Sequence, residues 1–349
     1  MLPELRDPTL LRNQCYLDGA FVGEPAGPVI NPATGEELAR VPALDAAAAT
    51  TAVEAAARAF KPWSRRLAKE RSGILRRWFD LLIANRDDLA LILTSEQGKP
   101  LGEALGEIDY AASYVEFYAE EAKRVAGETL PSHRADGRIM VLRQPTGVVA
   151  AITPWNFPAA MITRKVAPAI AVGCTVVVKP APETPLTALA IAELAHRAGL
   201  PAGVLNVITG PAAPIGEVFT SHPAIRVVGF TGSTAVGKLL MRQAAGTVKK
   251  VALELGGNAP FIVFDDADLD AAVEGAIAAK FRNMGQTCVC ANRIYVQRSV
   301  EPAFVEKLAA AMARLTVGNG LDAGTTQGPL ITPRAVEKVE AHIGDALAK

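Results

Sequence analysis

Residues 227–238 read Val-Val-Gly-Phe-Thr-Gly-Ser-Thr-Ala-Val-Gly-Lys. An apolar, β-branched run predicts a strand over Arg226–Phe230, the glycines predict a tight turn, and the residues beyond predict a helix over Val236–Ala245. Glycines at such a turn let the backbone approach a phosphate, and the helix start offers free N–H groups at the positive end of its dipole. The spacing is not G-x-G-x-x-G. It nearly matches G-x-x-x-x-G-K-[ST], but Leu239 stands where a magnesium-binding hydroxyl belongs, so a kinase or ATPase is rejected. Read alone, the stretch remains open to the plainer interpretation of a strand-to-helix turn.

Moving outward, strand and helix signals alternate. Gly147–Ile152, Thr175–Lys179 and Val204–Thr209 predict buried strands, with helices over Thr187–Ala198 and Ile215–Ser221. A further cycle is strand Phe261–Phe264, helix Asp268–Phe281 and strand Arg293–Gln297. Alternation of this kind predicts an α/β fold with a parallel sheet covered on both faces. Upstream, Asp45–Phe60, a helical stretch from Ser64 to Ser95 with an apolar stripe including Leu67, and Leu101–Ala126 predict helices. Gln97-Gly98-Lys99-Pro100 reads as a stop between the last two. Arg138–Arg143 alternates like a strand.

Half of the 349 residues are hydrophobic, enough for two or three domains, and 36 basic residues balance 36 acidic ones. That balance argues against nucleic acid or an anionic membrane as the main partner. The four cysteines, Cys15, Cys174, Cys288 and Cys290, are too few for a disulfide framework. The N-terminal stretch has acids, a proline and no apolar run, and aliphatic runs such as Val166–Val178 are interrupted by Pro168 and Gly173. The expectation is a cytoplasmic protein without a signal peptide or membrane span.

Cys288 lies in Asn283-Met284-Gly285-Gln286-Thr287-Cys288-Val289-Cys290, a polar, glycine-containing loop where a thiolate could be exposed. A buried structural cysteine is the competing interpretation. Cys-x-Cys could be half a metal site, but none of the four histidines is near in sequence, and no metal is expected. A thiol nucleophile needs a base and an oxyanion donor. Glu254, before Leu255-Gly256-Gly257-Asn258, is the candidate base. Asn156, in Thr153-Pro154-Trp155-Asn156-Phe157-Pro158, is the candidate donor. Lys179, closing a strand at the carboxyl edge of the sheet, is a weak candidate for ligand contact.

PWNFP at 154–158, KP…TP at 179–185, FTGSTAVG at 230–237, LELGGNAP at 253–260 and GQTC at 285–288 occur in this order. As a set they resemble the aldehyde dehydrogenase superfamily, from about Tyr16 to about Ile331. The resemblance implies that Cys288 attacks the aldehyde and that Asn156 and the Cys288 backbone N–H hold the oxyanion. It implies that hydride passes to a nicotinamide, that Glu254 activates the water that hydrolyses the thioester, and that Lys165 assists proton transfer. For the cofactor it implies Lys179 at the adenosine ribose and Gly232 with Ser233 at the pyrophosphate. Thr153, Pro154, Trp155, Asn156, Gly237 and Leu255 complete those contacts.

Within the family the chain is most similar to succinate-semialdehyde dehydrogenases. The resemblance places Arg164 and Arg282 at the substrate tunnel, where two guanidiniums suit a carboxylate at the far end of a short aldehyde. It also makes Cys290 a candidate redox partner for Cys288. Pro182 stands where many NAD-using members carry a ribose-binding glutamate, with Glu183 one step later. The loss of that carboxylate favours NADP over NAD.

The implied architecture is a Rossmann-type parallel-sheet cofactor domain from 1–127 and 146–254, a bridging β arm over 128–145 turning at His133-Arg134-Ala135-Asp136-Gly137, and an α/β catalytic domain from 255 to 349. That last domain reads as incomplete, because Lys349 falls inside a helical stretch and family members continue beyond it. The expected activity is oxidation of succinate semialdehyde, or a similar short carboxylated aldehyde, to the acid. The expected assembly is a homodimer or homotetramer if the full-length chain is present. The alternatives are a general aldehyde dehydrogenase, or an inactive truncated relative acting as a binding or redox-sensing protein.

Overall fold

The computed structural model describes residues 4–349; Met1–Pro3, with which the expected cofactor domain begins, lie outside them. Its centre is a seven-stranded sheet. From one edge the order is Lys250–Glu254, Ile225–Thr231, Val148–Ile152, Thr175–Lys179, Leu205–Val207, Cys15–Leu17, Ala20–Val22. Pairing is parallel from Lys250–Glu254 through Leu205–Val207, and the two N-terminal strands complete the sheet antiparallel.

The parallel part follows from its crossovers. Helices Ala160–Ala171, Pro185–Arg197 and Thr234–Ala245 return the chain to the same end of the sheet. Successive strands move from Val148–Ile152 toward Leu205–Val207, and the chain then crosses to the opposite side at Ile225–Thr231. The reversal makes the carboxyl ends of Val148–Ile152 and Ile225–Thr231 a switch point, where open α/β sheets bind ligands.

Both faces are covered, as the continuous apolar strands require. Val149, Ala151, Val176 and Val178 face one core, which contains Trp63, Trp78 and Leu82. Val148, Ala150 and Val177 face the other, with Val53, Ile215 and Phe219. This is the period-two alternation of a strand. Each buried indole also finds an acceptor: Trp63 Nε1 donates to the Ile170 carbonyl at 3.1 Å and Trp78 Nε1 to that of Ile191 at 3.2 Å.

The expected helix over 64–95 is two helices, Ala68–Ala84 and Arg86–Gln97, divided at Asn85. Leu67, assigned to the buried stripe, is 69% exposed because it precedes the first turn. The helix from Leu101 ends at Glu121, short of Ala126. The N-terminal strands Cys15–Leu17, Ala20–Val22, Gly27–Ile30 and Glu37–Val41 were not predicted, since three to five residues are too few to show a period. Gly98 does end its helix, in the left-handed conformation at φ 93°. A Cβ there would also come within 2.9 Å of Pro32 Cγ.

Glu128–Leu130 and Ile139–Val141 form a separate exposed antiparallel ribbon. Beyond the main sheet, Ala259–Val263 pairs parallel with Ala291–Val296, and helices Leu269–Phe281 and Glu301–Met312 pack around a small core of Val263, Val273, Ala276 and Phe304. Helix Pro333–Leu347 follows with no buried residue. Among the described residues no helix is long and apolar enough to cross a membrane.

Candidate active site

At the switch point lies a cavity of about 370 Å³. Cys288, Asn156, Glu254, Arg164 and Arg282 all line it. The groups come from four parts of the chain: the turn after Val148–Ile152, helix Ala160–Ala171, the carboxyl end of the edge strand Lys250–Glu254, and the loop after Leu269–Phe281.

Asn156 is held at both ends. Its side-chain Nδ2 donates to the Gln286 carbonyl at 2.9 Å. Its own carbonyl accepts from Lys99 Nζ at 2.8 Å and Asn283 Nδ2 at 3.1 Å. An amide nitrogen carries two hydrogens, so one remains for an acceptor in the cavity.

The cysteine loop is set by backbone conformation. Asn283, Met284 and Gly285 have φ values of 51°, 55° and 73°. The left-handed region costs a residue with a Cβ roughly 1–2 kcal/mol, least for Asn. Buried Asn283 is fixed there by its N–H on Glu103 Oε2 at 2.8 Å and by its amide on Asn156 and Gln286. The turn leaves Cys288 exposed. Its backbone N–H takes part in no hydrogen bond among the described residues. Cys290 points the other way: it is buried, with Sγ against Thr287 Oγ1 and 3.4 Å from the Lys280 carbonyl. Gly257 packs on this loop, since a Cβ there would lie 2.6 Å from the Cys288 carbonyl oxygen.

The Glu254 carboxylate is 57% exposed and faces Arg164, with Oε1 3.5 Å from Nη2. Arg282 lies over the Phe157 ring at 4.9 Å. Lys165 is one layer deeper and donates to Thr231 Oγ1 at 2.6 Å. Burial, with Arg164 beside it, brings its ammonium pKa down to about 8 despite the attraction of Glu254.

Pro154, Trp155, Gly232, Ser233 and Leu255, which the resemblance assigns to the cofactor, line the same cavity. Ser233 caps helix Thr234–Ala245 by accepting from Val236 N at 3.3 Å. A Cβ on Gly237 would lie 2.6 Å from Leu255 Cδ2, so the absence of a side chain lets Leu255 close over the first helical turn. Thr153 Oγ1 is buried without a hydrogen-bond partner among the described residues. Burial lowers the pKa of the Lys179 ammonium, which donates to the adjacent Pro180 carbonyl at 3.0 Å. An orphaned hydroxyl, a buried cation and a glycine-lined helix start fit the hydroxyls and phosphates of a dinucleotide. Pro182 lies apart, on a second cavity shared with Glu96, Glu183 and Ile331.

Several residues of the site escaped the sequence. Lys99 was read only as part of a helix stop, yet its side chain is 0% exposed and bonded to Asn156. Glu107, Asn283 and Gln286 belong to the same network. The one available signal was Glu107, which stands among the apolar helix positions Ala104, Ile108 and Ala111. Tyr110 and Met161 also reach the cavity.

The chain matches the profile described as "Aldehyde dehydrogenase family" over residues 22–349. It is 62% identical to a 3-sulfolactaldehyde dehydrogenase of Pseudomonas putida, over 99% of this chain and 72% of that protein. It is 58% identical to the succinate-semialdehyde dehydrogenase [NADP(+)] of Escherichia coli (strain K12), with the same 99% and 72% coverage. The crystal structure of a succinate-semialdehyde dehydrogenase from Burkholderia pseudomallei superposes with a TM-score of 0.98 at 61% identity, over 99% of this chain and 72% of that one.

Proposed function

The chain belongs to the aldehyde dehydrogenase family, as an NAD(P)-dependent enzyme of semialdehyde dehydrogenase type, and on that premise we propose that it oxidises succinate semialdehyde, or a similarly short aldehyde with an anion at its far end, to the acid with NADP. The observation that carries this reading is the meeting of a thiol, an amide, a carboxylate and two guanidiniums in one cavity.

In this reading Cys288 gives its thiol proton to water, its Sγ attacks the aldehyde carbon as the thiolate, and the oxygen becomes an alkoxide. The free Asn156 amide hydrogen and the Cys288 backbone N–H receive it, sites of a kind worth about 2.7–4 kcal/mol per donor. A bound nicotinamide supplies a hydride acceptor. With the hydride gone, Cys288 carries a thioester. Glu254 takes a proton from water, whose oxygen attacks the thioester carbon, releasing the acid and restoring the thiol. Lys165, linked to Thr231, can move a proton near pH 8.

Arg164 and Arg282 would hold the distant anion through charge-assisted hydrogen bonds. The relatives' names, succinate semialdehyde and 3-sulfolactaldehyde, both describe short aldehydes carrying an anionic group, and two arginines serve either anion. NADP is favoured because the residue three positions after Lys179 is Pro182 rather than a carboxylate, while Lys179 itself offers a cation.

The test is NADP- and NAD-linked oxidation of succinate semialdehyde by the purified protein, with Cys288→Ala beside it. Turnover that the variant loses supports the thiol mechanism. Equal turnover in both overturns it.

A further inference from the structure

We propose that Lys99 and Glu107 are positioning residues that set the aim of the Asn156 amide; the proposal rests on Asn156 as the oxyanion donor. Their side chains are 0% and 1% exposed, and Lys99 Nζ lies 2.5 Å from Glu107 Oε2. A fully buried ion pair is weak evidence of stabilisation, because desolvation offsets most of the attraction. The use of this pair is instead shown by where its remaining bonds go, for all of them end on one short segment, residues 156–160.

Lys99 Nζ donates to the Asn156 carbonyl at 2.8 Å and sits 4.0 Å from the Phe157 ring centre. Glu107 Oε1 accepts from the N–H groups of Ala159 at 2.9 Å and Ala160 at 3.3 Å, where helix Ala160–Ala171 begins. The pair therefore fixes the backbone on both sides of Pro158. Asn283 clamps the same Asn156 carbonyl from the cysteine loop, and that loop also supplies the Gln286 carbonyl that holds the Asn156 side chain. With one amide hydrogen tied to Gln286, the direction of the other depends on where the Asn156 backbone stands. Loss of Lys99 frees that backbone from the helical side, and a shift of about 1 Å in such a group can cost about a hundredfold in rate.

Lys99 also meets the chain near its C-terminal segment: Leu101 N donates to the Gly320 carbonyl at 2.9 Å, and a Cβ on Gly328 would overlap the Gly98 carbonyl. The pair is thus anchored in a packed junction.

Lys99→Met alone would strand a buried carboxylate, so the main variant is the double one, K99M with E107Q. A glutamine at 107 can still accept from Ala159 while carrying no charge. We expect kcat to fall about 10- to 100-fold with KM for the aldehyde within about threefold. The same two changes made in an Asn156→Ala background should alter kcat by less than about twofold, because the group being aimed is gone. Lys99→Arg, which keeps a buried cation, should lose less than the double variant and serves if that one folds poorly. A lower melting temperature with kcat unchanged, or an undiminished loss of kcat in the Asn156→Ala background, overturns the proposal. If the parent and its Cys288→Ala form turn over equally, the catalytic reading has failed, and alkylation by iodoacetamide then decides. Cys288 is the exposed one of the four cysteines, and its loop is tied through Gln286 to Asn156. A changed alkylation rate in K99M/E107Q upholds the positioning; an unchanged rate overturns it.

Discussion

Replacing Arg282 by methionine should separate charged from neutral substrates. The side chain is exposed, lines the cavity that holds Cys288, and is oriented by the Phe157 ring 4.9 Å away. A hydrogen bond to a charged group contributes about 1.5–3 kcal/mol, and an exposed group belongs at the lower end. About 1.5 kcal/mol corresponds to about a tenfold loss in kcat/KM for succinate semialdehyde. Butanal has the same chain length without the anion, and its kcat/KM should change by less than about threefold. Arg164→Met should behave alike, less strongly, because Arg164 already faces Glu254 at 3.5 Å and must leave that partner to bind an anion. Since both guanidiniums would share one ligand, the double variant should lose other than the product of the two single losses. The assay is initial-rate kinetics with both aldehydes at saturating cofactor. Equal losses for both substrates would refute the anion-holding role and mark the arginines as structural.

Pro182→Glu should return a carboxylate to the strand-end loop and shift the kcat/KM ratio from NADP toward NAD by about tenfold or more, measured with each cofactor separately. Lys165→Met should change stability with pH. The folded ammonium has its pKa lowered from 10.5 to about 8, so between these values the unfolded chain binds the extra proton, and the parent gains stability as pH rises. The gain is at most about 3 kcal/mol, and urea midpoints at pH 8 and pH 10 should show it in the parent and a smaller rise in the variant. Cys290→Ala should make activity less sensitive to a mild oxidant than the parent's, measured as the activity left after peroxide treatment. Equal sensitivity would remove Cys290 from any redox role.

The parallel sheet could be read from the sequence because its strands carry their signal locally. Thr175–Lys179 is buried along its whole length, and its centre, Val176-Val177-Val178, is an unbroken apolar run of the kind such a strand needs. Cys288, Asn156 and Glu254 were equally accessible to reading, since each sits in a short polar or glycine-containing string beside an apolar element. Lys99 and Glu107 were not, because their meaning depends on contacts made 57 and 52 residues along the chain, at Asn156 and Ala159. Nothing local distinguishes a lysine closing a helix in water from one turned inward by a left-handed glycine. The N-terminal strands failed for a related reason: Tyr16 pairs across the sheet with Val207, and its own neighbours show no strand period.

The proposed reacting and aiming groups also differ in where they reside. Cys288 and Glu254 are exposed, one on the loop after Leu269–Phe281 and the other at the carboxyl end of strand Lys250–Glu254, where a substrate can reach them. Lys99, Glu107 and Asn283 are buried, Lys99 between helices Arg86–Gln97 and Leu101–Glu121, Glu107 on the second of these, and Asn283 at the root of the cysteine loop. Such a division has a physical cause. A nucleophile must exchange water for substrate in every cycle and cannot be sealed off. An oxyanion donor acts only if its direction is already fixed when charge develops, and fixed direction comes from groups that cannot move. Asn156 joins the two regions, with its backbone in the buried network and its free amide hydrogen available to the cavity. A substitution that loosens the buried side should therefore slow the chemistry while leaving the exposed thiol and carboxylate untouched.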